Sequence, residues 1–367
     1  MSKTTALSVR EVEALFQPFF GRKLALATRV VMAPMNRNLA LEGVPVPEMA
    51  AYYRRRAERQ VGLIISEAAT IDDEAAADDS GMPHFYGGAA LREWKRICRA
   101  VHSTDCKIVP QLCHVGMLRV PGVGIAPPVG PSGINPLTLE KCAEEMSQAR
   151  MAEVCASFGR AAALARQLGF DGVELQGGHG YLIDQFLWKE TNRRKDIYGG
   201  DLVGRTRFAC DVLHAVRKAV GRDFPIIFRF SQWKVGHPEA RLAESPHELK
   251  EMLECLCAAG VDVFDCSERR HAAPAFPGSA LSLASWVRLL SGCPVISGGA
   301  VGGEPSMPGL HEPGTLRRLL QMLQGGEVDL VAVGRSLLAD AEWAEKVRLA
   351  REAEIIPFSL HSLSRLF

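Results

Sequence analysis

Residues 148–176, QARMAEVCASFGRAAALARQLGFDGVELQ, contain one complete helix–strand unit. Over 148–168 the apolar side chains recur at three- and four-residue steps, the spacing of an amphipathic helix; they are Met151, Val154, Cys155, Phe158, Ala161, Ala162, Ala165 and Leu168. The apolar run 172–176 is too short for a helix and is typical of a buried strand. The segment therefore predicts a helix that packs against a parallel sheet.

The same alternation of strand and helix extends along the chain. Eight short apolar runs predict strands, at 30–35, 62–69, 107–113, 172–176, 225–231, 261–267, 294–298 and 329–334. Helical patterns follow them, near 47–60 and at 89–103, 148–168, 205–220, 246–259, 283–291, 315–324 and 337–352. Eight such units fit a closed (β/α)8 TIM barrel better than an open sheet. Because no linker rich in Pro, Gly and Ser divides the chain, we expect one α/β barrel domain over 1–367.

Composition and charge exclude several classes of protein. The 43 Lys+Arg and 42 Asp+Glu residues give a net charge of +1, which provides no basic surface for nucleic acid. A hydrophobic content of 47% argues against disorder. No apolar run approaches the ~20 residues of a membrane span, and the N-terminal residues lack a signal-peptide core. We therefore expect a soluble, cytoplasmic protein that binds neither nucleic acid nor membranes.

The ten cysteines are scattered along the chain. They form no C-x-x-C pair and are accompanied by no His-rich zinc spacing. We interpret them as mostly buried, reduced thiols and predict no metal site.

Three long connections follow predicted strands. The Pro- and Gly-rich segment 115–136, after strand three, is too long for an ordinary loop and predicts a lid or hairpin over the barrel mouth. Two more long loops, 268–281 and 302–314, follow strands six and seven. Barrel enzymes build their sites from the loops at the carboxyl ends of the strands, so we expect the active site on this face.

Arg229 lies within the apolar strand IIFRFS, near the top of the predicted barrel. An unpaired charge there is costly. The guanidinium therefore needs either a buried carboxylate, such as Glu67 or Glu174, or an electron-rich ligand. The residues alone leave both interpretations open.

Glycines at the ends of strands seven and eight indicate an anion site. The segments Ser297-Gly298-Gly299-Ala300 and Gly334-Arg335 allow backbone amides to approach a phosphate, which barrels often bind at this position. The alternative is two ordinary glycine turns, with Arg335 neutralising a carboxylate. Since no G-x-G-x-x-G follows a strand and no Walker sequence is present, the phosphate would belong to a ligand that lies across the barrel.

Tyr181 follows His179 just after strand four. A tyrosine at a barrel mouth can donate a proton, because its ordinary pKa of about 10 makes it an acid at neutral pH. The alternative is an aromatic plug whose hydroxyl is merely hydrogen-bonded.

Nine motifs in family order resemble the old yellow enzyme family of FMN-dependent NAD(P)H oxidoreductases, the ene-reductases. They are LFQPF at 15–19, RVVMAPMNR at 29–37, YYRRRA at 52–57, GLIISEA at 62–68, QLCHVG at 111–116, GFDGVELQGGHGYLIDQFL at 169–187, TNRRKDIYGG at 191–200, FRFSQW at 228–233 and VAVGR at 331–335. The resemblance implies tightly bound FMN, transient NADH or NADPH as reductant, and a small activated alkene or related electrophile as substrate.

The resemblance also implies a role for each matching residue. The flavin ring would lie against Ala33, Pro34, Met35, Asn36, Ala68 and Gln111, with Arg229 beside its N1/C2 edge. The FMN phosphate would be held by Gly298, Gly299, Gly334 and Arg335. Gln176 and His179 would bind the activating oxygen of the substrate. Hydride would pass from flavin N5 to the β-carbon, and Tyr181 would protonate the α-carbon.

Some positions depart from the family pattern. Gln176 stands where the family usually has histidine, Asn36 replaces the usual threonine or cysteine, and Cys113 leaves room for a wider pocket. The charged loop that contains Arg269, Arg270 and His271 either contacts an acidic substrate or forms a solvated face.

Other functions are compatible with parts of the sequence. A flavin-dependent dehydrogenase or demethylase would resemble larger relatives with a cysteine-rich iron–sulfur segment, which we do not expect because no cysteine follows Cys293. A flavin-free lyase or isomerase of a phosphorylated metabolite would require a strand-end lysine or paired carboxylates. A non-catalytic flavin-binding protein would not require both His179 and Tyr181. Assembly as a homo-oligomer also remains open.

Overall fold

The chain forms a closed barrel of eight parallel strands in a computed structural model that describes residues 8–119, 126–301 and 315–366. A short antiparallel hairpin, β1 (Phe19–Phe20) and β2 (Ala25–Leu26), precedes it. The barrel strands are β3 (Val30–Met32), β4 (Leu63–Thr70), β5 (Lys107–Cys113), β6 (Val173–Gln176), β7 (Ile226–Phe230), β8 (Val263–Ser267), β9 (Val295–Gly298) and β10 (Leu330–Val333). They pair in chain order, and β10 closes the ring by pairing with β3. The predicted (β/α)8 barrel is confirmed.

Alternation along each strand separates the barrel interior from the surrounding helices. The interior is filled by one buried apolar cluster that includes Val31, Leu63, Ile65, Val109, Ile227, Val263, Ile296 and Leu330. Phe19, Leu24 and Leu26 of the hairpin belong to the same cluster. The hairpin therefore covers the end of the barrel where the strands begin, a feature that the strand pattern did not predict.

The helices lie around the barrel and mostly follow the predicted order. They are α1 (Val9–Val12), α2 (Glu48–Ala57), α3 (Gly88–Val101), α4 (Gln148–Leu168), α5 (Leu182–Leu187), α6 (Leu202–Val220), α7 (Pro246–Ala259), α8 (Leu283–Ser291), α9 (Thr315–Gln324), α10 (Arg335–Ala339) and α11 (Trp343–Arg348). Within the described ranges, no helix combines the length and apolarity needed to cross a bilayer.

The prediction of one helix over 337–352 is wrong, because α10 and α11 are separated at Asp340. The Asp340 carboxylate accepts hydrogen bonds from Lys346 Nζ at 2.8 Å and from the backbone amide of Ile356 at 2.9 Å. Hydrogen bonds from the backbone to a buried aspartate side chain compete with those of a continuous helix. The helix is therefore interrupted at Asp340, where the chain turns.

The long excursion after β5 is partly described. It contains a 3₁₀ turn at Gly116–Leu118, and Ile134 and Lys141 form an antiparallel bridge. The bridge is consistent with the hairpin that the Pro/Gly-rich sequence predicted. Residues 120–125 and the predicted loop 302–314 lie outside the described residues.

Candidate active site

Strand alternation brings several of the expected site residues into one inward-facing layer at the barrel mouth. Gln111, Arg229 and Gly298 each stand two positions after an interior apolar residue of their strand. Gln176 pairs in register with Arg229, and Ser267 of β8 pairs with Gly298. The polar layer therefore lies directly above the apolar barrel interior.

A bulge in β4 decides which of its residues joins this layer. Ile65 pairs with Val109, but Ala68 pairs with Gln111, so β4 contains one extra residue. The bulge places Ala68 in register with Gln111, whereas the Glu67 carboxylate accepts the amide hydrogens of Arg37 and Asn38 at 2.9 and 3.2 Å. Burial raises the pKa of Glu67 to about 7, against the opposing effect of these two amides.

Arg229 is paired with a carboxylate, but with one that the sequence analysis did not name. Its Nη1 donates to Asp265 Oδ2 on β8, and its Nη2 donates to Ser267 Oγ at 3.0 Å. Of the two interpretations, the buried carboxylate is present, but it is Asp265 and neither Glu67 nor Glu174. In the strand sequence VFDCS, Val263, Asp265 and Ser267 occupy every second position and therefore lie on the same face of β8. Because Val263 points into the barrel, this spacing could have predicted that Asp265 and Ser267 also point inwards.

Glu174 pairs in register with Gln111, whose Nε2 donates to Glu174 Oε1 at 2.7 Å. Burial raises the pKa of Glu174 well above its ordinary value, and the negative charge of Asp265 raises it further. Both effects favour the protonated form of Glu174, while Asp265 is paired with Arg229.

Gln176 and His179 contact each other at the end of β6. Gln176 Nε2 lies 3.3 Å from His179 Nδ1, and His179 Nε2 lies 2.9 Å from Ser267 Oγ. Desolvation lowers the pKa of His179 well below its ordinary value, and the positive charges of Arg229 and Lys234 lower it further. The imidazole is therefore neutral and carries one hydrogen.

Two tautomers of His179 are compatible with these contacts. Ser267 Oγ accepts a hydrogen bond from Arg229 Nη2, and it can either donate its own hydrogen to His179 Nε2 or accept one from it, because a hydroxyl oxygen has two lone pairs. The amide is oriented with Gln176 Nε2 towards His179 Nδ1, and Gln176 Oε1 has no partner among the described residues. Turning the amide by 180° would instead leave its NH₂ group available to a ligand.

A buried ion pair holds the turn that carries His179. Lys234 Nζ lies 2.8 Å from Asp184 Oδ1, and both side chains are fully buried. Asp184 also accepts the amide hydrogen of Gly180 at 2.7 Å, while His179 and Gly180 have φ angles of +62° and +88°. This pair is not predictable from the sequence, because a lone lysine after β7 gives no local indication of a partner on α5.

Tyr181 immediately precedes α5 and packs against a small apolar cluster that includes Ala68, Met82 and Cys113. Desolvation raises the pKa of Tyr181 above its ordinary value, while a hydrogen bond with Asn36 lowers it by a smaller amount. Asn36 Oδ1 also accepts the Ala68 amide hydrogen at 3.3 Å. Tyr181 is therefore protonated at neutral pH and lies beside two residues expected to contact flavin.

The remaining expected residues lie at the ends of β3, β9 and β10. Ala33 is buried in the interior cluster, Pro34 follows it, and Met35 packs against Leu338, Ala339 and Phe358. Arg335 begins α10, with its guanidinium carbon 5.6 Å from the centre of the Phe358 ring.

Glycine is required at 299. Its φ is +145°, and a Cβ there would lie 2.4 Å from the Glu268 carbonyl oxygen. A Cβ on Gly334 would lie 3.2 Å from Met35 Sδ, so a side chain there would also crowd its neighbours. His271 is buried, and its Nδ1 lies 2.8 Å from the Gly299 carbonyl oxygen. His271 therefore supports the glycine turn.

The donor set at the mouth fits FMN. A flavin ring presents carbonyl and ring-nitrogen edges, and a phosphate requires amides or cations. Arg229 Nε is buried and has no partner among the described residues, and the Gln176 amide has an unused polar atom. The glycines at 298, 299 and 334 keep side chains away from the other half of the mouth.

The sequence model of the NADH:flavin oxidoreductase / NADH oxidase family matches residues 14–354. The chain is 33% identical to an NADH oxidase of Thermoanaerobacter brockii over 90% of this chain and 50% of that protein. It is 32% identical to an NADPH dehydrogenase of Bacillus velezensis over 93% of this chain and 96% of that protein. The chain belongs to this family of FMN-dependent NAD(P)H oxidoreductases, which confirms the predicted cofactor and reductant for the family.

The fold comparison agrees. The structure of morphinone reductase in complex with tetrahydroNAD has a TM-score of 0.79 and 26% identity, covering 95% of this chain and 93% of that one. The chain spans about half of the NADH oxidase that it matches, whereas it spans nearly all of the NADPH dehydrogenase.

Proposed function

We propose that this protein reduces activated carbon–carbon double bonds of small molecules, with FMN as cofactor and NADH or NADPH as reductant. The observation that carries the proposal is the position of Gln176, His179 and Tyr181. Gln176 ends β6 in register with Arg229, and the turn that follows carries His179 and Tyr181. This reaction needs two functions from the protein: one group that binds the oxygen of the substrate, and one acid that supplies a proton.

The residues that would hold FMN surround this turn. The flavin would contact Ala33, Pro34, Met35, Asn36, Ala68, Gln111 and Arg229, and the phosphate would contact Gly298, Gly299, Gly334 and Arg335. Bound FMN supplies the hydride chemistry, taking hydride from the nicotinamide and passing it to the acceptor. The pairing of Arg229 with Asp265 offsets part of the positive charge that the arginine would present to the ring.

Gln176 would bind the carbonyl or nitro oxygen of the substrate. Its NH₂ group donates to that oxygen and draws electron density from the double bond. His179 fixes the orientation of the Gln176 amide, and Ser267 contacts His179. His179 thus acts through Gln176 in this proposal, as a positioning residue.

Tyr181 would donate the proton that completes the reduction. Because its pKa is raised, the hydroxyl retains its hydrogen at neutral pH until charge develops on the substrate carbon. The Asn36 side chain, which hydrogen-bonds to Tyr181, keeps the hydroxyl on the side of the mouth formed by β3 and β4.

The test is the visible spectrum of the purified protein during an anaerobic cycle. Flavin bands should bleach with NADH or NADPH and return on addition of an enone, a maleimide or a nitroalkene. Failure to bind FMN after reconstitution would overturn the proposal. Bleached flavin that only oxygen reoxidises would keep the cofactor and contradict the alkene substrate.

A further inference from the structure

A second cleft adjoins the proposed substrate site. It lies between the loop after β7 and the loop after β8, has a volume of about 410 Å³, and is lined in part by Trp233, Arg241, Arg269 and Arg270. This volume is in the range of small-molecule sites. No proposed role of the flavin, of Tyr181 or of Gln176 uses these side chains.

Trp233 connects this cleft with the proposed site. Its ring centre lies 4.7 Å from that of His179, and its indole nitrogen donates to the Ser267 carbonyl at 3.1 Å. Both contacts are made to residues that orient Gln176. Trp233 therefore stands between the residues around Gln176 and the cleft, and it touches both.

The cleft carries an excess of positive charge. Among the described residues that line it, the three arginines face two acidic residues, Glu239 and Glu268. Glu268 Oε1 accepts the amide hydrogen of Leu283 at the start of α8, and burial raises the pKa of Glu268 well above its ordinary value. Burial thus opposes a negative charge on Glu268, which adds to the excess of arginines over carboxylates in the cleft.

The arginines are distributed on both sides of the cleft. Arg241 donates to the Ala275 carbonyl and so joins the two loops, whereas Arg269 is exposed. Guanidinium groups bind carboxylates and phosphates through paired hydrogen bonds, and a concave wall concentrates their field. An anion is the ligand that this arrangement favours.

We propose that the cleft binds the anionic group, a phosphate or a carboxylate, of a ligand whose reacting end is held by Gln176; this inference rests on the proposed function. The phosphate would come from the nicotinamide dinucleotide, and the carboxylate from an acidic alkene. In both cases the cleft selects anionic over neutral ligands.

The test is equilibrium binding by calorimetry, which does not require turnover. The probes are NADP⁺ and nicotinamide riboside for the phosphate, and cinnamate and methyl cinnamate for the carboxylate. Arg269→Glu should weaken binding of at least one anionic probe by about tenfold, because one charge-assisted hydrogen bond is lost. Its neutral or phosphate-free counterpart should bind as before, and Arg222→Glu, an exposed arginine outside the cleft, should change neither affinity.

The outcomes separate the sources of the anion. If Arg269→Glu loses affinity only for NADP⁺, the cleft binds the dinucleotide phosphate. If it loses affinity only for cinnamate, the cleft binds the substrate carboxylate. Unchanged affinities in Arg269→Glu, or no binding of either anionic probe to the wild-type protein, would overturn the inference. Failure of the proposed function would give a different result. The reduced flavin would not be reoxidised by any alkene, while Arg269→Glu would still change the affinity for a probe.

Discussion

At the scale of single residues, a chain of hydrogen bonds orients the group that would bind substrate. Arg229 donates to Ser267, Ser267 contacts His179, and His179 contacts Gln176. A histidine at position 176 could donate or accept through either nitrogen, whereas the glutamine amide has one donor end and one acceptor end. The contact with His179 therefore decides which end of the Gln176 amide faces a ligand.

Tyr181→Phe should separate the two halves of the catalytic cycle. Reduction of the flavin by NADPH should be unchanged, because that step needs no proton from Tyr181. Reoxidation by an enone should slow by about 10²- to 10⁴-fold, the usual contribution of a general acid. Stopped-flow absorbance measures both steps, with Tyr198→Phe, whose hydroxyl donates to Asp211 far from the mouth, as control. Equal slowing of both steps would contradict the assigned role.

The neutral state of His179 predicts a contribution to the pH dependence of stability. Its pKa is lowered in the folded protein, whereas the unfolded chain has the ordinary value of about 6.5. Below pH ~6.5 the unfolded chain takes up a proton that folded His179 does not, so this contribution is complete above pH ~6.5 and is lost as the pH falls towards the folded pKa.

The measurement is urea unfolding of wild type and His179→Gln between pH 7 and pH 5. The variant should lose less free energy of unfolding over this interval than wild type. The exposed His247 provides the control, since His247→Gln should retain the wild-type slope. Parallel slopes for wild type and His179→Gln would contradict the neutral assignment.

At the scale of elements, packing between strand ends and short helices places the catalytic turn. The β4 bulge brings Ala68 into register with Gln111, and the Lys234–Asp184 pair joins the loop after β7 to α5. Neither feature follows from an element's own periodicity. Small changes in these contacts would displace His179 and Tyr181 together.

Lys234→Met should destabilise the protein by about 3–5 kcal/mol, because Asp184 would remain buried without its cation. Adding Asp184→Asn should recover part of this loss, since asparagine can still accept the Gly180 amide hydrogen without a buried charge. Urea unfolding of both single variants and the double variant measures the coupling. A double variant less stable than Lys234→Met by the full cost of Asp184→Asn would show that the two side chains act independently.

At the scale of the whole molecule, the barrel gathers the proposed flavin contacts from strands that are distant in the chain. Ala33 and Arg335 are separated by 302 positions, yet β3 and β10 are hydrogen-bonded neighbours. Ligand binding at such a closure stabilises the folded state over the unfolded one, because the unfolded chain has no site.

FMN should therefore raise the stability of the apoprotein. At a free concentration of 100 times Kd, the gain should be about 2.7 kcal/mol. Riboflavin, which lacks the phosphate, should give a smaller increase in melting temperature. Arg335→Ala should reduce the difference between the melting temperatures measured with FMN and with riboflavin. Equal stabilisation by the two ligands in the wild-type protein would contradict the proposed phosphate site.

The sequence by itself determined the barrel, its strand order and the family. Apolar runs that alternate with amphipathic helices specify the strand–helix units. Arg229, His179, Tyr181 and the glycines stand within short motifs that resemble the family. Both kinds of signal can be read from the sequence because they are local. The residues that hold Arg229 were not recoverable in the same way. Asp265 lies 36 positions from it and becomes its neighbour only when β7 and β8 pair.

Tertiary structure alone decided the orientation of the site. The β4 bulge, the burial that shifts the pKa values of His179 and Glu174, and the Lys234–Asp184 pair depend on which surfaces meet. Protonation and side-chain direction respond to desolvation and to charges brought close by folding, and a linear pattern contains neither quantity. The chain thus encodes its fold through local periodicity and its chemistry through contacts that exist only in the closed barrel.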